Sequence, residues 1–563
     1  MMRCRLSAPR GLPRTGAIIL LLWLLVGLPG GALAGGVADE LRMRLEDPSP
    51  GAALSVLGER VHAEPTLRRF YNERRHQPAW SSDGAPHAKR VEAAQALLEL
   101  ARRHGLAPGD YHAGALARVL ETLAESGPDT VRLAELDLLL TDAMLLLASH
   151  FENGRLDPVA VDPQWHAARE DSRDYAAFLD DALQADALED RVARLLPADP
   201  GYRRLVEAYR DAERALRDAA WPQVPEGPTL RRGDDGVRVE ALARRLAASG
   251  DLDGDPSGAF DDALHDAVVA FQGRNGLEPD GLVGPATRRA LNMTPADRAE
   301  RIRVNLERWR WLPRSLGERH VRVNIAGFDM VMVDDGEEVF SGRVVVGRDY
   351  RRTPVFSGRM TYLVLNPRWE VPNSIAVNDI LPQVRRDPDY LERMGFQVLQ
   401  GWGSEERLVD PEAVDWERLG RGAMPYRFRQ APGPLNAMGQ VKFMFPNRFN
   451  VYLHDTPARE LFQRARRDFS SGCIRIERPL EFARIVLDDP QRWDAAAIDR
   501  TIDGAREQTV TLRRPVMVHM QYATVWAEPD GTLQWREDIY SRDEPVRAAL
   551  ASLPPGPSGE GRH

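Results

Sequence analysis

The sequence predicts a multidomain α+β protein with a helical N-terminal region, a small three-helix unit and a mostly-β C-terminal domain. Apolar residues recur at helical spacing as far as residue 220, whereas from about Arg322 they alternate with period two, as in strands. A Pro-rich link at Pro222–Pro228 marks the boundary after the helical region. With 563 residues, the chain is long enough for several domains with their own cores.

The first 34 residues carry the three features of a secretory signal peptide. Four arginines precede a short apolar run at Ala17–Leu28, and Ala32-Leu33-Ala34 matches a small-residue cleavage site. We therefore expect residues 1–34 to be cleaved after about Ala34 and the mature chain to be exported, with an uncleaved N-terminal anchor as the alternative. The most apolar later stretch, Leu133–Phe151, contains three acidic residues, so the mature chain is expected to have no transmembrane segment.

Residues 35–222 are expected to form a helical scaffold domain. Its strongest helical patterns are Ala88–Arg103, which Gly105 should end, Arg132–Phe151 and Tyr202–Ala220. The histidines of this region show no metal-binding HExxH spacing and have no cysteine partners. We expect no metal site there and find no catalytic constellation.

Residues 228–293 are predicted to form a compact unit of three short helices separated by Gly-rich turns. An Asp253-Gly254-Asp255 loop lacks the glutamate that an EF-hand requires, so calcium is not expected. The unit resembles the small peptidoglycan-binding domain in the short motifs at its turns and helices. These are Phe271-Gln272, Gly276-Leu277, Asp280-Gly281, Val283-Gly284-Pro285, Thr287 and Leu291-Asn292.

Residues 299–535 are predicted to form a mostly-β domain. Arg322–Ile325, Met330–Val333 and Val339–Val346 alternate as strands, and further strands are expected at Phe449–His454, Thr509–Leu512 and Val516–Tyr522. Residues 367–430 are charged and helix-prone and carry three tryptophans, which predicts an inserted helical lid. The C-terminal segment 541–563 ends in a Pro/Gly/Ser-rich stretch and is predicted to be a disordered tail.

The charge and the rare residue types exclude several classes of function. The net charge is −9, which argues against a general nucleic-acid binder because phosphate binding needs a basic field. Lys89 and Lys442 are the only lysines, and no GxxxxGK[ST] phosphate loop exists. The two cysteines, Cys4 and Cys473, exclude a disulfide scaffold and a Cys-rich zinc module. After signal-peptide cleavage a single thiol, Cys473, remains.

Cys473 stands in a setting that suits a nucleophile. It follows Ser470-Ser471-Gly472, and His454 lies upstream at the end of a predicted strand. His454 can serve as the base, with either a backbone carbonyl or the Asp455 region to orient its ring. Small residues before the cysteine allow the amides of Gly472 and Cys473 to face a developing oxyanion. A nearby protonated histidine, with Arg475, is expected to favour the thiolate at neutral pH.

Residues 454–475 resemble the signature of the L,D-transpeptidase (YkuD-type) family. In that family a histidine is followed about fifteen residues later by [S/T]-H-G-C and then an arginine. This chain departs at Ser471, where the general pattern has histidine, and Ser-Ser-Gly-Cys is the usual form of the larger YcbB-type subgroup. Wider matches to that subgroup are Gln430–Gly439, Val441–Asn447 and His454–Pro457.

The resemblance implies a periplasmic enzyme that remodels peptidoglycan without a metal or organic cofactor. Cys473 would attack a tetrapeptide stem at diaminopimelate and form a thioester, and a second stem's diaminopimelate amine would then give a 3→3 cross-link. His454 would be the general base and acid, and Gly472 would supply an oxyanion-hole amide. The family also implies acylation of the cysteine by carbapenems. Wall-synthesis enzymes are possible protein partners, and the oligomeric state stays open.

Five further residues are expected to line the substrate cleft: Ser471, Arg475, Asn436, Tyr452 and Trp369. A packed core position is an equally good explanation for Trp369 and the better one for Tyr452.

Other activities fit the same motif. With water as acceptor, the enzyme would be an L,D-carboxypeptidase, and with a protein amine it would anchor proteins to the wall. A non-catalytic wall-binding scaffold would predict damage at Cys473 or His454, which is absent. In a papain-like protease the cysteine precedes the histidine, which is the reverse of the order here.

Overall fold

The computed structural model describes residues 33–552 and 554, except 47–52, 83, 168–172, 218–220, 255–257 and 421–423. The predicted signal peptide lies outside the described residues apart from its last two positions. None of the helices in the described ranges is long and apolar enough to cross a bilayer.

The N-terminal region is helical, as predicted, and packs around one long helix that is buried on nearly all sides. The acidic residues of this helix fix loops rather than face solvent. The carboxylate of Asp137 accepts hydrogen bonds from the amides of Ala79 and Trp80, and that of Asp142 accepts one from Ala63. Its helices are α1 (Leu33–Glu46), α2 (Glu64–Glu73), α3 (Ala88–Arg103), α4 (Ala113–Ser126), α5 (Thr130–Asn153), α6 (Pro158–Val161), α7 (Tyr175–Gln184), α8 (Leu188–Ala193) and α9 (Pro200–Ala215).

The helical region also contains short paired strands. They are β1 (Ser55–Val56) with β2 (Glu59–Arg60), and β3 (Ser81–Ser82) with β4 (Ala85–Pro86), while β5 (Trp165–His166) pairs with a strand of the C-terminal domain.

The second unit contains the three predicted helices α10 (Val237–Ala248), α11 (Asp262–Arg274) and α12 (Pro285–Leu291). The buried side chain of Gln272 explains why the motifs Phe271-Gln272 and Asp280-Gly281 occur together in this unit. The Gln272 side-chain amide donates to Asp280 and to the Leu282 carbonyl, and its oxygen accepts the amide of Gly281. Gly281 has φ +71°, a conformation that glycine adopts at least cost.

Helix α13 (Pro295–Arg310) joins the helical region to the C-terminal domain. Its Glu307 is fully buried and pairs with Arg310 at 2.8 Å. The same carboxylate accepts the amide of Leu156 at 2.8 Å and the indole N–H of Trp311 at 3.1 Å. Arg310 and Trp311 belong to the end of the same helix, whereas Leu156 lies 151 residues away, so its hydrogen bond joins the helical region to α13.

The C-terminal domain is built on a sheet that closes on itself. The hydrogen-bonded strand order is β14-β15-β17-β8-β7-β6-β18-β9, and β14 also pairs with β9, which completes the ring. The strands are β6 (Arg319–Asn324), β7 (Asp329–Asp334), β8 (Glu337–Gly347), β9 (Val355–Leu365), β14 (Val441–Met444), β15 (Leu453–His454), β17 (Ile474–Ile476) and β18 (Gln508–Gln521), with β16 (Asp468–Ser470) paired to β8.

Several strand predictions are confirmed and two need correction. The meander through β6, β7 and β8 follows the predicted alternation. The two strands expected at 509–512 and 516–522 are one strand, β18, with a register shift between Thr511 and Val516. The strand expected at Phe449–His454 is only two residues long, because the Asn447 side chain bonds to the backbone on both sides of a turn at 447–451.

Two helices, α17 (Pro479–Leu487) and α18 (Ala495–Asp503), follow β17 along the chain and precede β18. A small hairpin of β19 (Val525–Ala527) and β20 (Leu533–Trp535) follows β18.

The insertion at 367–430 is only partly helical. It contains α14 (Asn373–Ile375), a π-helical turn at Ala376–Ile380, α15 (Leu381–Arg386) and α16 (Tyr390–Arg393). It also forms a four-stranded antiparallel sheet, which the helical prediction did not include, because its strands pair across long loops. The sheet order is β10 (Trp369–Glu370), β13 (Tyr426–Gln430), β11 (Phe396–Gln400) and β12 (Arg407–Val409).

The predicted disordered tail at 541–563 begins as ordered structure, so that boundary is corrected. Helix α19 (Asp543–Leu550) buries Val546 and Leu550 against the core of the closed sheet. Two apolar residues four positions apart place both side chains on one face, which is enough to dock a short helix. Residues 553 and 555–563 lie outside the described residues.

Candidate active site

The candidate site lies on one face of three neighbouring strands of the closed sheet. In the register, Lys442 of β14 stands opposite His454 of β15, and His454 stands beside Arg475 of β17. Since alternate residues of a strand share a face, Tyr452 and Cys473 project on the same side as these three residues. The intervening residues, Phe443, Leu453 and Ile474, are fully buried in the core on the opposite face.

Cys473 is partly exposed, and the contacts of its sulfur are with β15 and the turn before it. Its thiol donates to the Asn450 carbonyl at 3.8 Å. The Ile474 amide donates to the Tyr452 carbonyl at 3.0 Å, which places Tyr452 beside Cys473 on the neighbouring segment. The Tyr452 and His454 rings lie edge to face, with centroids 5.9 Å apart. Tyr452 therefore contacts the proposed base and lies beside the proposed nucleophile on the same face.

The electrostatics correct the expected thiolate. Burial raises the pKa of the Cys473 thiol, although Tyr452, Lys442 and Arg475 act in the opposite direction. Burial also lowers the pKa of His454 to about 3, and the Arg475 charge adds to that shift. The resting pair is thus a neutral thiol and a neutral imidazole, because the sheet desolvates both charged forms more than their neighbours stabilise them.

A backbone carbonyl orients the His454 ring. Nδ1 lies 2.5 Å from the Asp455 carbonyl oxygen, which accepts its proton and leaves Nε2 unprotonated in the neutral tautomer. The Asp455 carboxylate is committed elsewhere, since it accepts the amides of Gln440 and Thr456 and pairs with Arg459. Of the two orienting groups left open by the sequence, the carbonyl holds this position.

The loop that carries the cysteine is held by hydroxyl groups on both sides. The Ser470 hydroxyl donates to the Cys473 carbonyl at 2.6 Å and accepts the Gly472 amide at 3.0 Å. The Thr353 hydroxyl donates to the Gly472 carbonyl at 2.9 Å and accepts the Gly347 amide at 3.0 Å. These bonds fix the loop against β8 and the segment that follows it.

The proposed oxyanion role of the Gly472 amide is therefore corrected, since that N–H already bonds to Ser470. The requirement for glycine is conformational. Gly472 has φ +113°, a conformation that residues with a side chain rarely adopt. The facing residue must also be glycine, because a Cβ at Gly347 would lie 3.0 Å from the Gly472 Cα. The Cys473 amide, which bonds to no acceptor in the described part of the chain, is the remaining donor of this loop for an oxyanion.

Thr353 offers a test of this loop. Thr353→Val keeps the shape of the side chain but removes both hydroxyl bonds, so we expect the rate of Cys473 acylation to fall about tenfold as the loop loses its position. Thr353→Ser, which keeps the hydroxyl, should stay near wild type. Equal rates for both variants, measured by the time course of adduct mass, would contradict a positioning role for the hydroxyl.

Ser471 links the nucleophile loop to the insertion. The Arg351 guanidinium donates to the Ser471 hydroxyl at 2.8 Å and forms an ion pair with Asp379, in the π-helical turn of the insertion. We call Arg351, Asp379 and Ser471 the latch. Arg351 was not predicted as a site residue, because it lies 120 residues from Ser471 in sequence.

Of the other predicted cleft residues, one lies on the site face and two lie in or beside the insertion. Arg475 is on the site face, and its buried Nε has no hydrogen-bond partner among the described residues. Asn436 is buried and donates to the carbonyls of Pro367 and Ala431. It therefore holds the ends of the insertion together and does not line the cleft, which corrects the prediction. Trp369 packs in the insertion's own core against Phe396.

Lys442 is the site residue that sequence reasoning missed. Its ammonium lies 3.7 Å from the centre of the Tyr452 ring. The available signal was its rarity, since it is one of two lysines in the chain. In the described ranges, no three His, Cys, Asp or Glu side chains are grouped so that they could hold a metal ion.

Comparison with known families agrees with this arrangement. A model of the YkuD family, described as the L,D-transpeptidase catalytic domain, matches residues 318–512. A peptidoglycan binding domain matches residues 235–291, and a family described as a scaffold domain matches residues 65–208.

The chain is also similar to two individual proteins. It is 33% identical over 250 residues to a Haemophilus influenzae protein named "Putative L,D-transpeptidase". The match covers 44% of this chain and 49% of that protein, so the chain spans about half the length of its curated relative. An L,D-transpeptidase from Xylanimonas cellulosilytica, a solved structure, is 18% identical, with 53% of this chain and 98% of that chain covered at a TM-score of 0.16.

Proposed function

From the premise that this chain carries a YkuD L,D-transpeptidase catalytic domain and a peptidoglycan-binding domain, we propose that it forms 3→3 cross-links in peptidoglycan. The observation that carries the proposal is the partly exposed thiol of Cys473 on the same face as His454, two residues before Arg475, the register partner of that histidine. The donor would be a tetrapeptide stem, and the acceptor the side-chain amine of a second stem's diaminopimelate.

The proposed first step forms a thioester on Cys473. As the sulfur attacks the diaminopimelate carbonyl, the thiol proton passes to Nε2 of His454, and the Cys473 amide faces the oxyanion. The C–N bond to the terminal D-Ala then breaks, and His454 returns the proton to the leaving amine. Because the resting pair is neutral, the proton moves during attack and not before it.

The second step transfers the acyl group. The acceptor amine attacks the thioester carbonyl, the C–S bond breaks, and His454 takes the proton of the amine and returns it to the sulfur. Water in place of the amine would give L,D-carboxypeptidase activity, and a protein amine would anchor that protein to the wall. The Cys473 and His454 chemistry is the same for all three acceptors.

The experiment that tests the proposed function uses a disaccharide-tetrapeptide and analysis of products by mass. Release of D-Ala with formation of a cross-linked dimer supports the transpeptidase. Tripeptide without dimer would replace the proposal by the carboxypeptidase. Absence of any acyl-enzyme with either the stem or a carbapenem would contradict both.

The insertion is proposed to act as a lid that limits water during the thioester stage. The latch supports this role, because it ties the π-helical turn of the insertion to the residue two positions before the nucleophile. Asp379→Asn removes the charge of a partly exposed ion pair worth about 0.5–1 kcal/mol. We expect the tripeptide-to-dimer ratio to rise by about two- to fivefold. An unchanged ratio in the variant, with normal acylation, would contradict the gating role.

Location and anchoring complete the proposal. Residues 1–34 would direct export to the periplasm and be removed, and the three-helix unit would hold the enzyme on the wall. Wall-synthesis enzymes would be its partners. Secretion of a reporter fused after residue 34, and its loss when the apolar run is interrupted, would test the export signal.

A further inference from the structure

Lys442 has no part in the proposed acyl transfer by Cys473 and His454. It lies opposite His454 in the register of β14 and β15, on the site face. Its Nζ lies 3.7 Å from the centre of the Tyr452 ring, and Tyr452 lies beside Cys473, since the Ile474 amide donates to the Tyr452 carbonyl at 3.0 Å. An ammonium, an aromatic ring and the thiol therefore form one continuous set of contacts.

This ammonium lacks a carboxylate partner. Within the described residues, no acidic group lies at ion-pair distance from Lys442. Glu507, the acidic group that acts on it, is paired with Arg368 at 3.1 Å. A half-buried cation without a counter-charge is unfavourable unless a negative charge arises nearby during function. The Cys473 sulfur, beside the tyrosine on which Lys442 stacks, is a group on this face where such a charge can arise.

We propose that Lys442 is a positioning residue for the nucleophile, which supplies counter-charge to the Cys473 thiolate and fixes the Tyr452 ring beside the sulfur. The role rests on the proposed function only in taking Cys473 as the nucleophile. When the S–H bond breaks, the proton goes to His454 or to solvent, and the remaining charge on sulfur faces the ammonium across the tyrosine. An aromatic face attracts a cation, so the stack also fixes the ring.

The neighbouring groups explain why this cation is effective. The charged and titratable groups around it are Tyr452 and His454 on β15, Cys473 and Arg475 on β17, Glu507 before β18, and Arg348 behind Arg475. His454 is neutral at rest, and Arg475 is the other cation that acts on the sulfur. Burial lowers the pKa of Lys442 whereas the Cys473 charge raises it, which is the reciprocal of the effect of Lys442 on the thiol.

The test measures the pH dependence of Cys473 alkylation by iodoacetamide in the full chain. Cys4→Ser in every variant leaves Cys473 as the single thiol. Lys442→Met should raise the midpoint of alkylation by about one pH unit and slow acylation at pH 7 about tenfold, whereas Lys442→Arg should restore most of both. Lys89→Met is the matched control, because Lys89 is exposed and is the other lysine of the chain.

Alkylation midpoints that coincide for the wild type and Lys442→Met would overturn the proposal. Should Lys442→Met fail to fold, the reciprocal measurement decides. Reductive methylation with a ¹³C label gives signals for two lysine side chains, and Cys473→Ala should lower the pH at which the Lys442 signal titrates. An unchanged titration would equally overturn the role of Lys442. Since alkylation needs no stem substrate, failure of the proposed cross-linking would be seen separately.

Discussion

Replacement of Cys473 by alanine is expected to abolish acylation, with a loss of at least about 10⁴-fold in the rate of product formation. The sulfur is the proposed nucleophilic atom, carried by the loop of Ser470 and Gly472 and partly exposed. No adduct of a carbapenem or a tetrapeptide stem should appear in the intact mass of Cys473→Ala.

Ser471→Ala is the matched control for this loss. It lies two residues away on the same loop and is exposed, and its hydroxyl belongs to the latch, not to the contacts of the sulfur. We expect the adduct to form on Ser471→Ala and thermal unfolding to be unchanged in Cys473→Ala. An adduct on Cys473→Ala, mapped to another residue, would remove Cys473 from its proposed role.

The second large effect is expected at His454. His454→Gln keeps a polar group beside the Asp455 carbonyl but removes the base, so acylation should slow by about 10³-fold. Because the side chain is only 2% exposed, the thermal stability of the variant must be compared with that of the wild type. Loss of activity at unchanged stability is the expected result.

The pH dependence distinguishes the neutral pair from a thiolate–imidazolium pair. The free imidazole must be neutral to accept the proton, and its pKa of about 3 places its protonation far below the usual value of 6.5. We expect kcat/KM for acylation to persist as the pH falls through 6.5 and to decline only toward pH 3 to 4, provided the fold survives. A decline centred near pH 6.5, or rapid alkylation of Cys473 at pH 5, would contradict the neutral pair.

Much of the local structure could be predicted, because it depends on short-range periodicity. Helix α3 spans Ala88–Arg103 as expected, and the β6–β8 meander follows the alternation from Arg322 onward. The helix at 543–550 departs from the predicted tail, because only the residues downstream of it are Pro/Gly/Ser-rich. The insertion departs from the helical prediction because its strands pair across loops, a pairing that no local pattern reveals.

The sequence supplies the candidates for the chemistry. Cys473 in its Ser-Ser-Gly setting and His454 at a strand end are predicted from residue types, spacing and the resemblance to the YkuD-type signature. The tertiary structure alone decided what these groups can do. Pairing of β9 with β14 closes the sheet, and pairing of β14 with β15 brings Lys442 to the ring of Tyr452.

Burial on that face sets the charge states. It makes the thiol and the imidazole neutral, which the sequence could not indicate because desolvation depends on every element packed around a group. The same holds for Gly472, whose amide is taken by Ser470, and for Arg351, which meets Ser471 across 120 residues. Residue identity is local, whereas hydrogen-bond partners and dielectric environment belong to the whole fold.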